Sequence, residues 1–272
     1  MLKTNKMLRT FKKKVLEFGI KVLGEHRIID TLLPNNFYFS HQGYCPCCDK
    51  EVLFKATHSW LRDYFLCTNC GSIPRERALM LVIDKYYPNW HTLHIHESSP
   101  SNRGVSLKLT NKAANYTASQ YYPHHPFGTL INGFQNQDLE QQTFADASFD
   151  LVITQDVMEH TYNPEKAFAE IARTLKKGGA HIFTVPIINK FQPTEIWATK
   201  GQDSNPIFLK NPEWHGNPVD AKGSPVTMHW GFDITNFIKE KSGLDTTIIY
   251  IDDLYFGIRA EFIEVLVSTK KS

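Results

Sequence analysis

The stretch 149–186 leaves this chain the fewest ways to fold. Leu151–Val152–Ile153 is a short apolar run of the kind that forms a strand buried on both faces. It stops abruptly in polar residues: Thr154, Gln155, Asp156, Glu159 and His160. Ligands in open α/β sheets gather at the carboxyl ends of strands, so this ending reads as a core strand delivering side chains to a site. Asn163–Pro164–Glu165 then opens a helix, with Asn163 as N-cap and Pro164 at the first helical position. Ala167, Phe168, Ile171, Ala172 and Leu175 repeat at helical spacing, and Lys176–Lys177–Gly178–Gly179 supplies a cationic last turn and a glycine stop. His181–Ile182–Phe183–Thr184–Val185 reads as a second strand, closed by Pro186. A β-α-β unit of this kind requires a parallel sheet with helices packed on its faces.

Phe149–Asp150–Leu151–Val152, Glu159–His160, Leu175–Lys176–Lys177–Gly178–Gly179 and Phe183–Thr184–Val185–Pro186 resemble the central half of a class I S-adenosylmethionine-dependent methyltransferase of the small-molecule, type 11-like group. Residues 90–190 follow that pattern, and the end of the chain fits it. The resemblance implies an α/β, Rossmann-like seven-stranded sheet ending in an antiparallel hairpin, and S-adenosylmethionine as cofactor. It places the first core strand at 90–95. The loop after it, His96 to Ser101, lacks the family's glycine-rich signature. There the resemblance puts Glu97 at the strand end as an acid and Ser98 where a small side chain lets the cofactor approach. The second strand, 115–120, ends in Ser119 and Gln120 instead of the family's ribose-binding acid. Asp138 lies twelve residues before Asp150, the family spacing for a carboxylate near the adenine, with Leu139 lining the same pocket; a helix N-cap is the competing role for Asp138. Thr154 and Gln155 would face the methionine part. Glu159 and His160 would border the substrate. His160 is the candidate general base, since its unperturbed pKa lies near neutrality, with Asp156 placed to orient it and a structural role as the alternative.

All five cysteines fall between Cys45 and Cys70. Cys45 with Cys48 and Cys67 with Cys70 form two C-x-x-C pairs, separated by positions 49–66, a spacing within the zinc-ribbon range. Two such knuckles can set four thiolates tetrahedrally around a structural Zn²⁺ with no open coordination position. Segments 51–56 and 64–66 supply the hairpin strands, and Cys47 is left over as a spare thiol. Ser72 is placed to cap the following helix. Arg75 and Arg77 read as partners of local acids such as Glu76 and Asp84, or as binders of an anionic substrate group.

The reading divides the chain into a basic amphipathic helical segment at 1–40, a zinc ribbon at 41–73 and a methyltransferase domain at 74–272. No run of about 18 apolar residues exists to cross a membrane, and the start is cut by charges too often for a signal peptide, so a cytoplasmic location is expected. Residues 1–33 read as a helix packed on the main domain; peripheral contact with anionic lipid is the alternative. Residues 187–231 form a long insertion rich in Pro and Trp, read as a lid or substrate wall, with His215 or His229 as an alternative candidate base. Net charge is +2. Between Cys45 and Cys70, Lys50, Lys55 and Arg62 balance Asp49, Glu51 and Asp63, which argues against a nucleic-acid partner. The expected acceptor is a small hydroxylated molecule or saccharide. A zinc-ribbon RNA methyltransferase and a non-catalytic scaffold of the same fold are the alternatives.

Overall fold

The computed structural model describes residues 38–203, 205–217 and 219–271. The basic amphipathic segment expected at 1–40 therefore lies almost wholly outside the described residues. Among these, no helix is long and apolar enough to cross a membrane. An antiparallel three-stranded ribbon comes first: β1 (Phe39–Cys45), β2 (Lys50–Ala56) and β3 (Leu66–Cys67), with the one-turn helix α1 (Leu61–Tyr64) between the last two. Then α2 (Pro74–Tyr86) leads into the main sheet.

Five strands of that sheet run parallel: β4 (His94–Ser98), β5 (Asn115–Gln120), β7 (Phe134–Asn136), β8 (Phe149–Gln155) and β9 (Leu175–Thr184). The chain closes with β16 (Asp245–Ile249) and β17 (Val265–Thr269), an antiparallel pair laid against β9. A two-residue strand, β6 (Leu130–Ile131), hairpins onto β7. The order is β16-β17-β9-β8-β4-β5-β7-β6. The sheet is thus mixed and eight-stranded, one more than the expected seven; β6 is too short to have been visible as a strand in the sequence.

Side-chain alternation sorts the sheet into two cores. Ile95, Leu151, Ile153, Ala180 and Ile182 face α2 and α3 (Gly104–Lys112), where Leu79, Ile83, Val105 and Leu109 are buried. Val152 and Phe183 face the other way, toward α4 (Pro164–Thr174) and α5 (Ile234–Ser242), packing with Phe168, Ile171, Ile234 and Ile238. Helices on both faces cover the near-continuous apolar runs of the parallel strands, as such strands demand. The ribbon shares the first core: Phe54 and Phe65, with ring centroids 5.7 Å apart, are buried continuously with Leu79 and Ile95.

Several local expectations shift. Segment 90–95 is not a strand throughout: Trp90–Thr92 is a 3-10 turn, because the buried Trp90 ring turns in and donates its Nε1–H to Asp84 at 2.8 Å. The strand starts at His94 and runs on to Ser98, so Glu97 and Ser98 belong to the sheet. Helix α4 ends at Thr174, and Leu175–Lys176–Lys177–Gly178–Gly179 forms the start of β9 through an irregularity against Phe149. Gly178 has φ +76°, and a Cβ on Gly179 would stand 2.8 Å from the Asp150 carbonyl oxygen, so both glycines serve a strand bulge, not a helix stop. Ser72 does not cap α2; Glu76 accepts the Ile73 N–H at 3.1 Å instead.

Arg77 is fully buried and binds main chain, not the expected acids. It donates to the Gly257 carbonyl (3.0 and 2.6 Å), to Phe65 O at 2.7 Å and to Ser72 O, with its guanidinium over the Phe54 ring. It therefore ties the ribbon to the loop between β16 and β17. Arg77→Met would leave these buried carbonyls without donors, at roughly 1–3 kcal/mol for each such group. We expect a loss of about 3 kcal/mol in equilibrium urea unfolding; a change below about 1 kcal/mol would show that this tie is dispensable.

Candidate functional site

The strand β8 discharges its polar residues at its carboxyl end, and the chain turns there. Asp156 has φ +51° and accepts from Thr184 Oγ1 at 3.0 Å, beside the end of β9. It is ion-paired with Arg62 of α1 in the ribbon at 2.5 Å and with Arg75 of the first turn of α2 at 2.9 Å. Despite burial, the two guanidinium charges hold the Asp156 carboxyl well below the usual range. Asp156 is thus engaged by arginines and does not orient His160, and the structure places Arg75 against Asp156 and Asp63.

A 3-10 turn, Met158–His160, follows. It carries Glu159 and His160 under the insertion expected as a lid. That insertion folds as three two-stranded ribbons: β10 (Glu195–Ile196) with β15 (Met228–His229), β11 (Ala198–Lys200) with β12 (Pro206–Phe208), and β13 (Trp214–His215) with β14 (Ser224–Pro225). Thr227 anchors it, donating its N–H at 2.8 Å to Glu159 O and its hydroxyl at 2.6 Å to Thr161 O. The three sequence candidates Glu159, His160 and His215 are brought together. Glu159 Oε1 lies 3.8 Å from His160 Nε2 and 3.8 Å from His215 Nδ1, and the two imidazoles meet edge to face at 5.0 Å. Burial, joined by the Asp156 charge, pushes the Glu159 carboxyl well up, and burial lowers His160 to about 4. His160 is therefore a neutral imidazole at pH 7. Beside them Glu213 lies 3.4 Å from His215 Nε2 and 2.9 Å from His229 Nε2, and those hydrogen bonds hold it down to about 2. His229 is stacked on Trp197 at 3.7 Å. His229 was, with His215, an alternative base in the sequence, and the structure instead pairs it with Glu213; Glu213 itself had no role there, since a lone acid in a loop carries no spacing signal.

The residues expected at the cofactor divide into two groups. Glu97 is fully buried and accepts from Ser106 (2.6 Å), Gln155 (2.8 Å) and Tyr116 (2.8 Å), with its carboxyl raised by burial. Gln155 is accordingly held inside that network. Ser119 and Thr154 point into the sheet face, bonded to buried His96 (2.8 Å) and His181 (2.9 Å). Burial lowers both histidines to about 3, so they are neutral core groups. The alternation His94–Ile95–His96 along β4 is a signal for His96 alone; nothing in the β9 sequence marks His181. Ser98 stands in register with Ser119 and Thr154 at the strand ends. Gln120 and Asp138 differ from this group. The Gln120 amide makes no hydrogen bond among the described residues, and Asp138 uses Oδ1 to accept the Glu140 N–H at 2.8 Å, leaving Oδ2 open. Burial raises the Asp138 carboxyl, and Leu139 is buried beside it in the second core. No helix begins at Asp138, so the N-cap role is not seen; its Oδ1 closes a local turn and Oδ2 is left as an available acceptor.

Residues 104–183 match a family described as a methyltransferase domain, from the start of α3 into β9. This stretch, under a third of the chain, is similar to that family, in line with the resemblance carried by the sequence motifs. Dimethylglycine N-methyltransferase from Parasynechococcus marenigrum is 48% identical over 48 residues, 18% of this chain; the match spans only 17% of that relative's length. Among solved structures, an S-adenosylmethionine-dependent methyltransferase from Mesorhizobium loti is 16% identical, with TM-score 0.45, over 71% of this chain and 98% of that one. A Burkholderia thailandensis 1,6-didemethyltoxoflavin-N1-methyltransferase with bound S-adenosylhomocysteine is 8% identical, with TM-score 0.44, over 73% of this chain and 79% of its own. Neither likeness bears on what this chain binds.

The Asp156 clamp has a testable pH signature. A carboxyl held low in the folded state contributes stability above its unfolded pKa of about 3.9 and loses it as pH falls below that value. Asp156→Asn leaves two arginines facing a neutral amide, and we expect about 3 kcal/mol less stability at pH 7. Its stability should also fall less steeply below pH 4 than that of the wild type in urea titrations. Parallel acid limbs in the two proteins would contradict the clamp.

Proposed function

We propose that the chain transfers a methyl group from S-adenosylmethionine to a small hydroxylated acceptor such as a saccharide. The observation that carries this is the methyltransferase-domain match over 104–183, which spans the strand end bearing the polar residues. The nucleoside end of the cofactor fits the open Asp138 Oδ2 and Gln120 amide at the ends of neighbouring strands. Asp138 would accept the adenine amino hydrogens and Gln120 would hydrogen-bond the ribose, with Leu139 beside the base. When bound, the cofactor supplies an electrophilic methyl carbon on a positively charged sulfur. The acceptor oxygen forms the new C–O bond while the C–S bond breaks, its electron pair staying on sulfur, and the hydroxyl proton leaves. Holding donor and acceptor in line supplies much of the rate. Glu159, His160 and His215 border the acceptor side beneath the insertion. A small acceptor is supported by the exposed Trp214 and Phe191 on that insertion and by the near-neutral charge. The dimethylglycine named for the relative also belongs to the small-molecule class. An RNA acceptor finds little support, because Arg62 is buried against Asp156.

A structural Zn²⁺ in the ribbon is part of the proposal. Cys45 and Cys70 sulfurs are 3.8 Å apart, Cys48 and Cys67 sulfurs 3.9 Å, and none of the cysteines is disulfide-bonded. A tetrahedron with Zn–S bonds of about 2.3 Å has edges of about 3.8 Å, which these two separations match, and all four sulfurs lie within 4.8 Å of one another. Cys47, its Sγ turned to the Glu76 carbonyl at 3.5 Å, stays out of the set. The engagement of Glu97 and Gln155 with each other favours a non-catalytic scaffold as the second reading.

Calorimetric titration of the full chain with S-adenosylmethionine and S-adenosylhomocysteine should give micromolar dissociation constants, weakened in Asp138→Ala. No binding up to millimolar would replace catalysis by the scaffold reading. Because the ribbon shares its core with the sheet, Cys67→Ser should lose one zinc equivalent and lower the melting temperature of the whole chain; an unchanged zinc content would refute the ribbon assignment.

A further inference from the structure

The carboxylate of Glu159 poses a physical problem. Its residue is 2% exposed, and neither oxygen makes a hydrogen bond among the described residues. An isolated buried carboxylate is costly, and such groups are found paired or coordinating a cation. The neighbours at hand are His160 and His215, yet both stand at 3.8 Å. A charge-assisted hydrogen bond to an imidazolium would bring nitrogen to about 2.8 Å. The gap is one that an ion fills.

The histidines are held in the matching way. His160 Nδ1 lies 2.8 Å from the Pro225 carbonyl oxygen. A carbonyl only accepts, so Nδ1 carries the proton and the lone pair of Nε2 is turned toward Glu159. His215 does the same with its atoms reversed: Nε2 is 3.4 Å from Glu213 Oε1, and Nδ1 faces Glu159. An imidazole whose outer nitrogen is fixed by a carbonyl or carboxylate, with its inner nitrogen free, is the usual arrangement of a metal-ligating histidine. The three inner atoms lie within 4.8 Å of one another. A tetrahedral ion with bonds of about 2.1 Å has ligand edges of about 3.4 Å, a few tenths of an ångström shorter than the two 3.8 Å separations measured from Glu159.

We propose that Glu159, His160 and His215 bind a first-row divalent transition-metal ion, Zn²⁺ being the best match, at a second metal centre separate from the cysteine cluster. Two imidazoles and one carboxylate are the donor set of such ions, harder than the four thiolates of the ribbon. Three protein ligands leave a position open to water or substrate, unlike the closed set of four cysteines. Its role in the reaction rests on the methyl-transfer reading above: an acceptor hydroxyl bound at the open position becomes acidic, loses its proton to solvent, and presents an alkoxide oxygen to the methyl carbon. The site joins a turn after β8 to strand β13 of the insertion, so the ion also fastens the insertion to the sheet.

The full-length protein, freed of metal under native conditions, should take up two equivalents of Zn²⁺ in competition with a chromophoric chelator. With Co²⁺ one equivalent should show thiolate-to-metal charge transfer and the other only the weak visible bands of nitrogen and oxygen ligands. His215→Ala, at a partly exposed position that tolerates truncation, and Glu159→Gln should each abolish the second equivalent and keep the thiolate one, with unchanged far-UV circular dichroism. Glu213→Gln should weaken it about 10- to 100-fold, as loss of an outer partner does. Uptake of a single equivalent by the wild type, or retention of both by His215→Ala and Glu159→Gln, overturns the proposal. Titration of the same samples with S-adenosylmethionine separates the two readings: a wild type that binds the second ion but no cofactor refutes methyl transfer and leaves the metal centre standing.

Discussion

The carboxylate of Asp156 sits where three parts of the molecule meet. It closes the end of β8, bonds across to Thr184 at the end of β9, and takes one guanidinium group from the ribbon and one from the start of α2. Charges removed from water at that depth are costly, and the pairing is favourable only because Arg62 and Arg75 both reach it. The left-handed backbone at Asp156 follows from the same arrangement: the chain must reverse to bring the carboxylate to the arginines, and that reversal aims Glu159 and His160 at the insertion. Without the clamp, the polar end of β8 would have neither a fixed direction nor a wall behind it.

Much of the sheet was legible because its signals are local. The apolar run at Leu151–Ile153, the helical spacing from Ala167 to Ile171 and the paired C-x-x-C motifs each report on neighbours along the chain, and the structure places them as strand, helix and thiolate cluster. The misreadings have one physical source. Lys176–Lys177–Gly178–Gly179 satisfies the rules for a helix end, yet pairing with Phe149 across the sheet extends β9 backward through it. Trp90 has strand propensity, yet burial of its ring against α2 bends the chain. Long-range contacts override local preference in both cases.

The candidate site was legible in its members and not in its wiring. Glu159, His160 and His215 were named from the sequence, although 55 positions separate the last two, and they converge. The partners that fix their orientation, the Pro225 carbonyl and Glu213, were not, since a backbone oxygen has no signature and the ribbon pairing that positions it is non-local. Glu97 and Gln155 show the converse. Their types suit a ligand, but Ser106 and Tyr116 turn them into a closed internal network.

The two-residue strand β6 bears on how this protein behaves in a crowded solution. Among the described residues the sheet ends in two edge strands, and a flat unpaired edge is a template for another chain. At one edge β6 is too short to offer a ladder, although its own Leu130 is exposed. At the other, Asp245 at the start of β16 is flanked by Lys239 at 2.7 Å and Lys271 at 3.2 Å, which sets charge at the point where a foreign strand would have to begin pairing. The fold thus guards both margins against edge-to-edge aggregation by different means, brevity on one side and charge on the other.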